Sequence, residues 1–240
     1  MPEAPAYRRV LLKMSGEALL GRRKHGIDPH VVGRVAGEIA AVRALGVEVC
    51  VVVGGGNIFR GIEVARSGGN RVTGDHMGML ATVMNALALR DALDGVGVPV
   101  KVFSGLAVPA ICDTFSQRSA ASALDAGHVV VFAGGTGNPF FTTDTGAALR
   151  AAEMGCDAIF KGTQVDGVYT DDPNTNPDAT RFDCLTHDEV LSRGLRVMDT
   201  AAVAVARENG IPIVVFSILQ AGGFPDIVKG RGRATTVSEA

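Results

Sequence analysis

The segment from His128 to Ala148, HVVVFAGGTGNPFFTTDTGAA, constrains this chain more than any other, because it passes from an apolar run through a glycine-dense turn into a helix start. Val129–Phe132 shows no polar alternation and reads as a strand covered on both faces, as in a parallel sheet. Gly134, Gly135 and Gly137 allow the backbone to approach a ligand that any Cβ would hold away. Thr142, Thr143, Asp144 and Thr145 precede the helical segment Ala147–Ala152, placing hydroxyls and a carboxylate where the free N–H groups of a helix start suit an anion. Taken alone, Asp144 is equally well read as a helix cap, and the turn as an ordinary strand-to-helix connection.

Strand, turn and helix recur along the chain. Val10–Met14 runs into Ser15-Gly16, and Asp28-Pro29 opens a helix carried by Val31, Val32, Val35, Ile39, Val42 and Leu45 and ended by Gly46. Val47–Val53 delivers Gly54, Gly55, Gly56 and Asn57, with Arg60 three residues on as a fork for phosphate. A polar stretch, Arg71–Asp75, leads into a helix over Met77–Leu93 whose Leu80, Met84, Leu87 and Leu89 are expected in the core. Asp75 is read either as the cap of that helix or as an acceptor for sugar hydroxyls, and His76 as a polar neighbour. Strands are predicted over Val98–Phe103, Asp157–Phe160 and Ile213–Ser217, and helices over Ser116–Asp125, Thr145–Met154, Thr186–Arg193 and Asp199–Glu208. Val165–Tyr169 reads as a short extended excursion into a loop rich in Asn, Pro and Asp, and a candidate edge strand follows Arg231 and Arg233.

Such alternation implies an α/β protein with parallel pairing, in which ligands collect outside the carboxyl ends of the strands. Lys13, Gly54–Gly56, Gly134–Gly137 and Lys161 all follow strands, so one sheet brings them to one edge. The chain contains only five lysines against 18 arginines (23 less 5), which makes Lys13 and Lys161, each after an apolar run, conspicuous. A buried ammonium is costly unless paired or presented to an anion; the plainer reading is that each marks the wet end of a strand.

With 47% hydrophobic and 20% charged residues in 240, one compact domain is expected. The net charge of −2 leaves no basic footprint for nucleic acid. Cys50, Cys112, Cys156 and Cys184 form no CxxC, so neither a zinc site nor a disulfide framework is suggested. MPEAPAYRRV lacks the apolar core of a signal peptide and no apolar run reaches membrane-spanning length, so the expected compartment is cytoplasmic, with residues 1–6 a loose tail and 7–240 the domain. Phe59 stands where GxGxxG needs its third glycine and GxxxxGK[ST] is missing, which argues against dinucleotide and Walker loops.

Two lysines, an arginine, several glycine turns and one central carboxylate match the needs of phosphoryl transfer, which asks for positioning and charge stabilisation. Lys13-Met-Ser-Gly16, Gly54-Gly-Gly-Asn-Ile-Phe-Arg60, Gly74-Asp-His-Met-Gly-Met-Leu-Ala-Thr82, Gly135-Thr-Gly-Asn-Pro-Phe-Phe-Thr-Thr-Asp144 and Val165-Asp-Gly-Val-Tyr-Thr-Asp-Asp-Pro173 resemble the bacterial uridylate kinases (UMP kinases) of the amino-acid kinase fold, from Tyr7 to about Val237. The resemblance implies a three-layer αβα sandwich around a mainly parallel sheet. It implies transfer of the ATP γ-phosphate to UMP, giving UDP and ADP, with Mg²⁺. On the ATP side it implies Lys13, Met14, Ser15, Gly16, Gly56 and Arg60 at the phosphates, and Thr163, Tyr169 and Asp172 at the adenosine. On the acceptor side it implies Gly55 and Arg60 at the UMP phosphate, Asp75 at the ribose, and Thr136, Gly137, Asn138, Pro139, Phe140, Phe141, Thr142 and Thr143 at the uridine. Asp144 would organise lysines or metal, with Lys161 as a second phosphate-facing lysine. The resemblance further implies a homohexamer activated by GTP and inhibited by UTP, with the cationic loop Gly21–Gly26 and Arg90-Asp91 as candidate control elements. Two rival readings are a kinase of the same fold acting on an amino acid or carbamate, opposed by Asp75 and the 136–143 segment, and a nucleotide-binding storage protein, opposed by the joint presence of Lys13, Arg60 and Asp144.

Overall fold

A computed structural model describes residues 6–60 and 68–239. The tail expected at residues 1–6 therefore falls, but for Ala6, outside the described residues. Strands are β1 (Arg9–Met14), β2 (Glu48–Val53), β3 (Val100–Ser104), β4 (Asp113–Thr114), β5 (Val129–Ala133), β6 (Ala158–Thr163), β7 (Cys184–Thr186), β8 (Ile213–Ser217) and β9 (Ala234–Ser238). Helices are α1 (Pro29–Arg43), α2 (Arg71–Gly95), α3 (Gln117–Asp125), α4 (Thr143–Met154), α5 (His187–Arg193), α6 (Thr200–Glu208) and α7 (Gly223–Val228), with a 3₁₀ turn at Gly16–Leu19.

The strands form one sheet in the order β4-β3-β5-β2-β1-β6-β8-β9-β7. Pairing is parallel throughout except between β8 and β9. Period-2 alternation sends Val10, Leu12 and Met14 of β1 into a core shared with α1, α2 and α7, while Leu11 joins a second core with α3, α4, α5 and α6 on the other face. Helices thus cover both faces, which is why the inner strands are apolar without alternation. Among the described residues no helix is long and apolar enough to cross a membrane.

Most helix starts follow their caps. Asp28, Ser116, Thr142, Thr186 and Asp199 each accept a backbone N–H of the first turn, and Thr186 with Glu189 completes a capping box. Three expectations need correction. Helix α2 begins at Arg71, capped by Asn70 and not by Asp75, so the polar stretch forms its first turns. Leu80 and Met84 are 48% and 54% exposed, because the buried stripe of α2 runs through Met79, Val83, Ala86, Leu89 and Leu93. The excursion expected over 165–169 carries a single bridge, between Tyr169 and Arg181. The C-terminal strand β9 lies inside the sheet, paired with both β8 and β7, and the edges are β4 and β7.

Candidate active site

Strand register builds the centre of the site. Lys13 and Lys161 are partners across the β1–β6 ladder. Both share the parity of Leu11 and Ile159, whose side chains enter the core beneath α4. Neither lysine marks a wet strand end: β1 and β6 continue past them, and Lys13 is only 5% exposed. The two ammoniums meet Asp144 in the first turn of α4. Lys13 Nζ pairs with Asp144 Oδ1, and Lys161 Nζ donates to Oδ2 at 3.0 Å and also to the carbonyl of Val197. Asp144 is therefore not the cap of α4; Thr142 fills that place, accepting from the Asp144 N–H at 3.0 Å.

The charges regulate one another. Burial pushes the Asp144 carboxyl up, but the Lys13 and Lys161 ammoniums outweigh it and hold it below its ordinary value. Burial pulls the Lys161 ammonium down; Asp144 opposes this, Lys13 adds to it, and the result is a lowered value. Asp199 also raises Lys161 somewhat. Asp199, in the sequence only a helix start, accepts through its carboxylate from Thr145 N at 3.2 Å and Thr145 Oγ1 at 2.7 Å, as well as from the Thr142 hydroxyl. The helix-start signature was legible; the long-range reach to α4 was not.

Three glycine turns close around this centre. After β1, Gly16 lies against the turn after β2 so tightly that a Cβ would meet Asn57 Oδ1 at 2.3 Å and the Gly54 carbonyl at 2.6 Å. Met14 is fully buried in the core, so only its backbone faces this crossing, its carbonyl accepting from Gly54 N at 2.9 Å. Asn57 and Asn85 exchange side-chain amide bonds at 2.9 and 2.7 Å, and Asn85 also donates to the Gly54 carbonyl at 2.6 Å. Asn57 donates further to the Gly26 carbonyl at 2.9 Å, tying the cationic Gly21–Gly26 loop to the second turn. After β5, Gly134 has φ +72°, and its N–H donates to Thr82 Oγ1 at 2.7 Å. Asn85 and Thr82 carried no local signal, since polar residues inside a helix reveal their targets only once the helix is docked.

A cleft beside the centre is lined by Gly55, Gly56, Asp75, Thr82, Gly135 and Thr143, among others, and so joins turns from β2 and β5 to α2. Phe141 and Thr142 reach it, and Thr136, Gly137, Asn138 and Pro139 form the turn before it, with the Asn138 N–H donating to Thr136 Oγ1 at 3.1 Å. Arg60 is paired with Glu17 of the 3₁₀ turn. Thr163 ends β6 and exchanges bonds with Val165. Tyr169 donates to Asp166, and the Asp172 carboxylate caps its own turn at Asn174. No hydrogen bond among those of the described residues carries Tyr169 or Asp172 to the lysine–carboxylate centre. Nor do the described residues contain a group of three or more His, Cys, Asp or Glu able to hold a metal ion. Asp144 Oδ1 faces Lys13 in an ion pair without a hydrogen bond and Oδ2 accepts from Lys161, so the donor set around this carboxylate is two ammoniums and does not fit a protein-held cation.

The residue pattern of the amino acid kinase family matches residues 8–217. The chain is 62% identical over 239 residues to a uridylate kinase of Mesorhizobium japonicum and 64% identical over 239 residues to one of Brucella abortus, in each case across the full length of both chains. It superposes on the crystal structure of UMP kinase from Bacillus anthracis with a TM-score of 0.93 at 37% identity, covering 97% of this chain and 96% of that one. Pattern, relatives and superposition agree on one conclusion: the chain belongs to the amino acid kinase family.

Proposed function

We propose that this protein transfers the γ-phosphate of ATP to UMP, giving UDP and ADP, as a cytoplasmic enzyme of pyrimidine nucleotide biosynthesis. The observation that carries the reading is the Lys13–Asp144–Lys161 cluster at the carboxyl ends of adjacent strands, with glycine turns on both sides and a cleft lined by Asp75. The curated relatives named uridylate kinases support the choice of acceptor.

An oxygen of the UMP phosphate attacks the γ-phosphorus while the bond to the β–γ bridging oxygen breaks, and ADP leaves with that electron pair. The acceptor phosphate is already ionised at neutral pH, so no base is required. Lys13 and Lys161 neutralise charge on the transferring group, and the N–H groups of Gly16 and Gly56 offer fixed donors beside it. Asp144 acts as a positioning residue, holding two ammoniums together that would otherwise repel. Met14, Ser15 and Arg60 complete the ATP phosphate side, with Thr163, Tyr169 and Asp172 toward the adenosine. Gly55, Arg60, Asp75 and the 136–143 segment receive UMP. Mg²⁺ enters with ATP as part of the substrate.

Residues 7–240 act as one domain. Control by GTP and UTP and assembly into a homohexamer belong to the same proposal; the exposed apolar side chains Met77, Leu80 and Met84 on α2 are surface that self-association would cover. The test is ADP release from Mg-ATP against UMP, CMP, dUMP, TMP, acetylglutamate, aspartate and carbamate, with and without GTP or UTP. Turnover confined to UMP is expected. Preference for a carboxylate or carbamate, or tight ATP binding with no turnover on any acceptor, would overturn the reading.

A further inference from the structure

Asp75 lies one turn beyond Arg71 on α2, and the protein holds both of its oxygens. Arg71 Nε donates to Asp75 Oδ1 at 2.8 Å and to Oδ2 at 2.9 Å, and the Phe140 N–H donates to Oδ2 at 2.8 Å. Phe140 is the sole non-glycine residue with positive φ among the described residues, at +73°. A bulky side chain is disfavoured there, so its surroundings must hold it. Two contacts do so: the bond to Asp75, and the Arg71 guanidinium 5.7 Å from the centroid of its ring. Both depend on the Arg71–Asp75 pair.

The two sides of that pair differ in exposure: the Asp75 side chain is 12% exposed and that of Arg71 38%. The carboxylate is thus the shielded member, and it lines the acceptor cleft. A carboxylate has about four acceptor positions. Among the described residues Oδ1 receives only its share of the Arg71 N–H, while Oδ2 receives the other share and the Phe140 N–H, which leaves an acceptor position on Oδ1 for a sugar hydroxyl. The terminal torsion of aspartate is broad and two-fold, so an unheld carboxylate would present either oxygen to the cleft. An ordinary surface ion pair at i,i+4 would add only helix stability; here the guanidinium also fixes an orientation on which a strained backbone position depends.

We propose that Arg71 is a positioning residue that sets the preference for ribonucleotide over deoxyribonucleotide acceptors, by fixing the Asp75 carboxylate and, through it, the Phe140 turn beside the acceptor cleft. The inference rests on the reading of Asp75 as the partner of the ribose hydroxyls. It is tested by kcat and KM for UMP and dUMP, KM for ATP and thermal unfolding, in the wild type and in Asp75→Asn, Arg71→Leu and Arg71→Lys. Asp75→Asn and Arg71→Leu are each expected to lower the UMP-to-dUMP ratio of kcat/KM about tenfold, the loss of one charge-assisted hydrogen bond. The change should lie in KM for UMP, with KM for ATP within about twofold of wild type. Lysine supplies the charge without the fork and is expected to give an intermediate ratio. If Asp75→Asn lowers the ratio while Arg71→Leu leaves it at the wild-type value, Arg71 is a stabilising surface pair and the positioning role is wrong. If Asp75→Asn itself leaves the ratio unchanged, the ribose assignment fails and the inference falls with it. Should Arg71→Leu not fold, Arg71→Lys decides: an intermediate ratio supports the role and a wild-type ratio overturns it.

Discussion

Asp144 holds two ammoniums with one carboxylate, and its own ionisation depends on them. Its carboxyl is held below the ordinary 3.8, so the stability it contributes is present above that pH and is lost as pH falls through the lowered folded-state value. In urea unfolding, the stability gap between wild type and Asp144→Asn should be widest above about pH 4 and shrink in more acid solution; a gap that widens on acidification would contradict the assignment. Lys161 has the opposite sensitivity. Its ammonium is lowered from 10.5, so activity that needs the charge should decline on the alkaline side before an ordinary lysine would titrate. Lys161→Arg should move that limb upward in a kcat–pH profile, and Asp144→Asn, which removes the attraction opposing the shift, should move it down. Lys13→Met is expected to lower turnover by about two to three orders of magnitude, the cost of removing one preorganised charge donor, while circular dichroism stays that of the folded protein. Near-normal turnover would remove Lys13 from the mechanism. Lys13, Asp144 and Lys161 were all legible in the sequence, because lysines after apolar runs and a carboxylate at a glycine-flanked helix start are chemically costly placements. Arg71, Thr82, Asn85 and Asp199 were not, because their partners lie up to 65 residues from them or from the aspartate they hold.

At the scale of elements, the site is a set of loop crossings held by helix side chains. Asn85 is fully buried on α2 and donates to the Gly54 carbonyl and to Asn57 Oδ1, so Asn85→Ala leaves these two buried acceptors without that donor, while the Asn57 Nδ2 keeps its bond to Gly26. A loss of roughly 1–3 kcal/mol in unfolding free energy is expected. KM for ATP should rise as well, because the crossing between Gly16 and the second turn loosens; a destabilised variant with unchanged KM would separate the amide pair from the site. Strands and helices with strong periodicity and good caps were read close to their observed limits. The elements missed are short or depend on distant partners. Helix α7 has Pro225 within six residues, and it is fixed by Glu38 accepting from Phe224 N and by the ring of Phe224 against Phe160 and Phe216. Strands β4 and β7 have two and three residues, too few to show a period. The start of α2 was misplaced because its first turns are polar, its apolar stripe beginning only at Met79.

On the scale of the whole molecule, two apolar cores lie on opposite faces of one sheet and share its strands. Neither core can lose its strands without exposing the other, so unfolding should be a single transition by both circular dichroism and calorimetry. Mg-ATP at about a hundredfold excess over its Kd should raise the unfolding free energy by about 2.7 kcal/mol. Two resolved transitions would contradict a single domain over residues 7–240. The sequence alone determined the α/β class, the apolar strands and the glycine turns that follow them, since these depend on local periodicity and on the steric freedom of residues next to one another in the chain. Tertiary structure decided which turns meet: that Lys13 stands in register with Lys161, that both face α4, and that β9 lies inside the sheet and not at its edge. Those outcomes depend on strand order and on the docking of helices from distant parts of the chain, and a local pattern of residues contains no information about its partner.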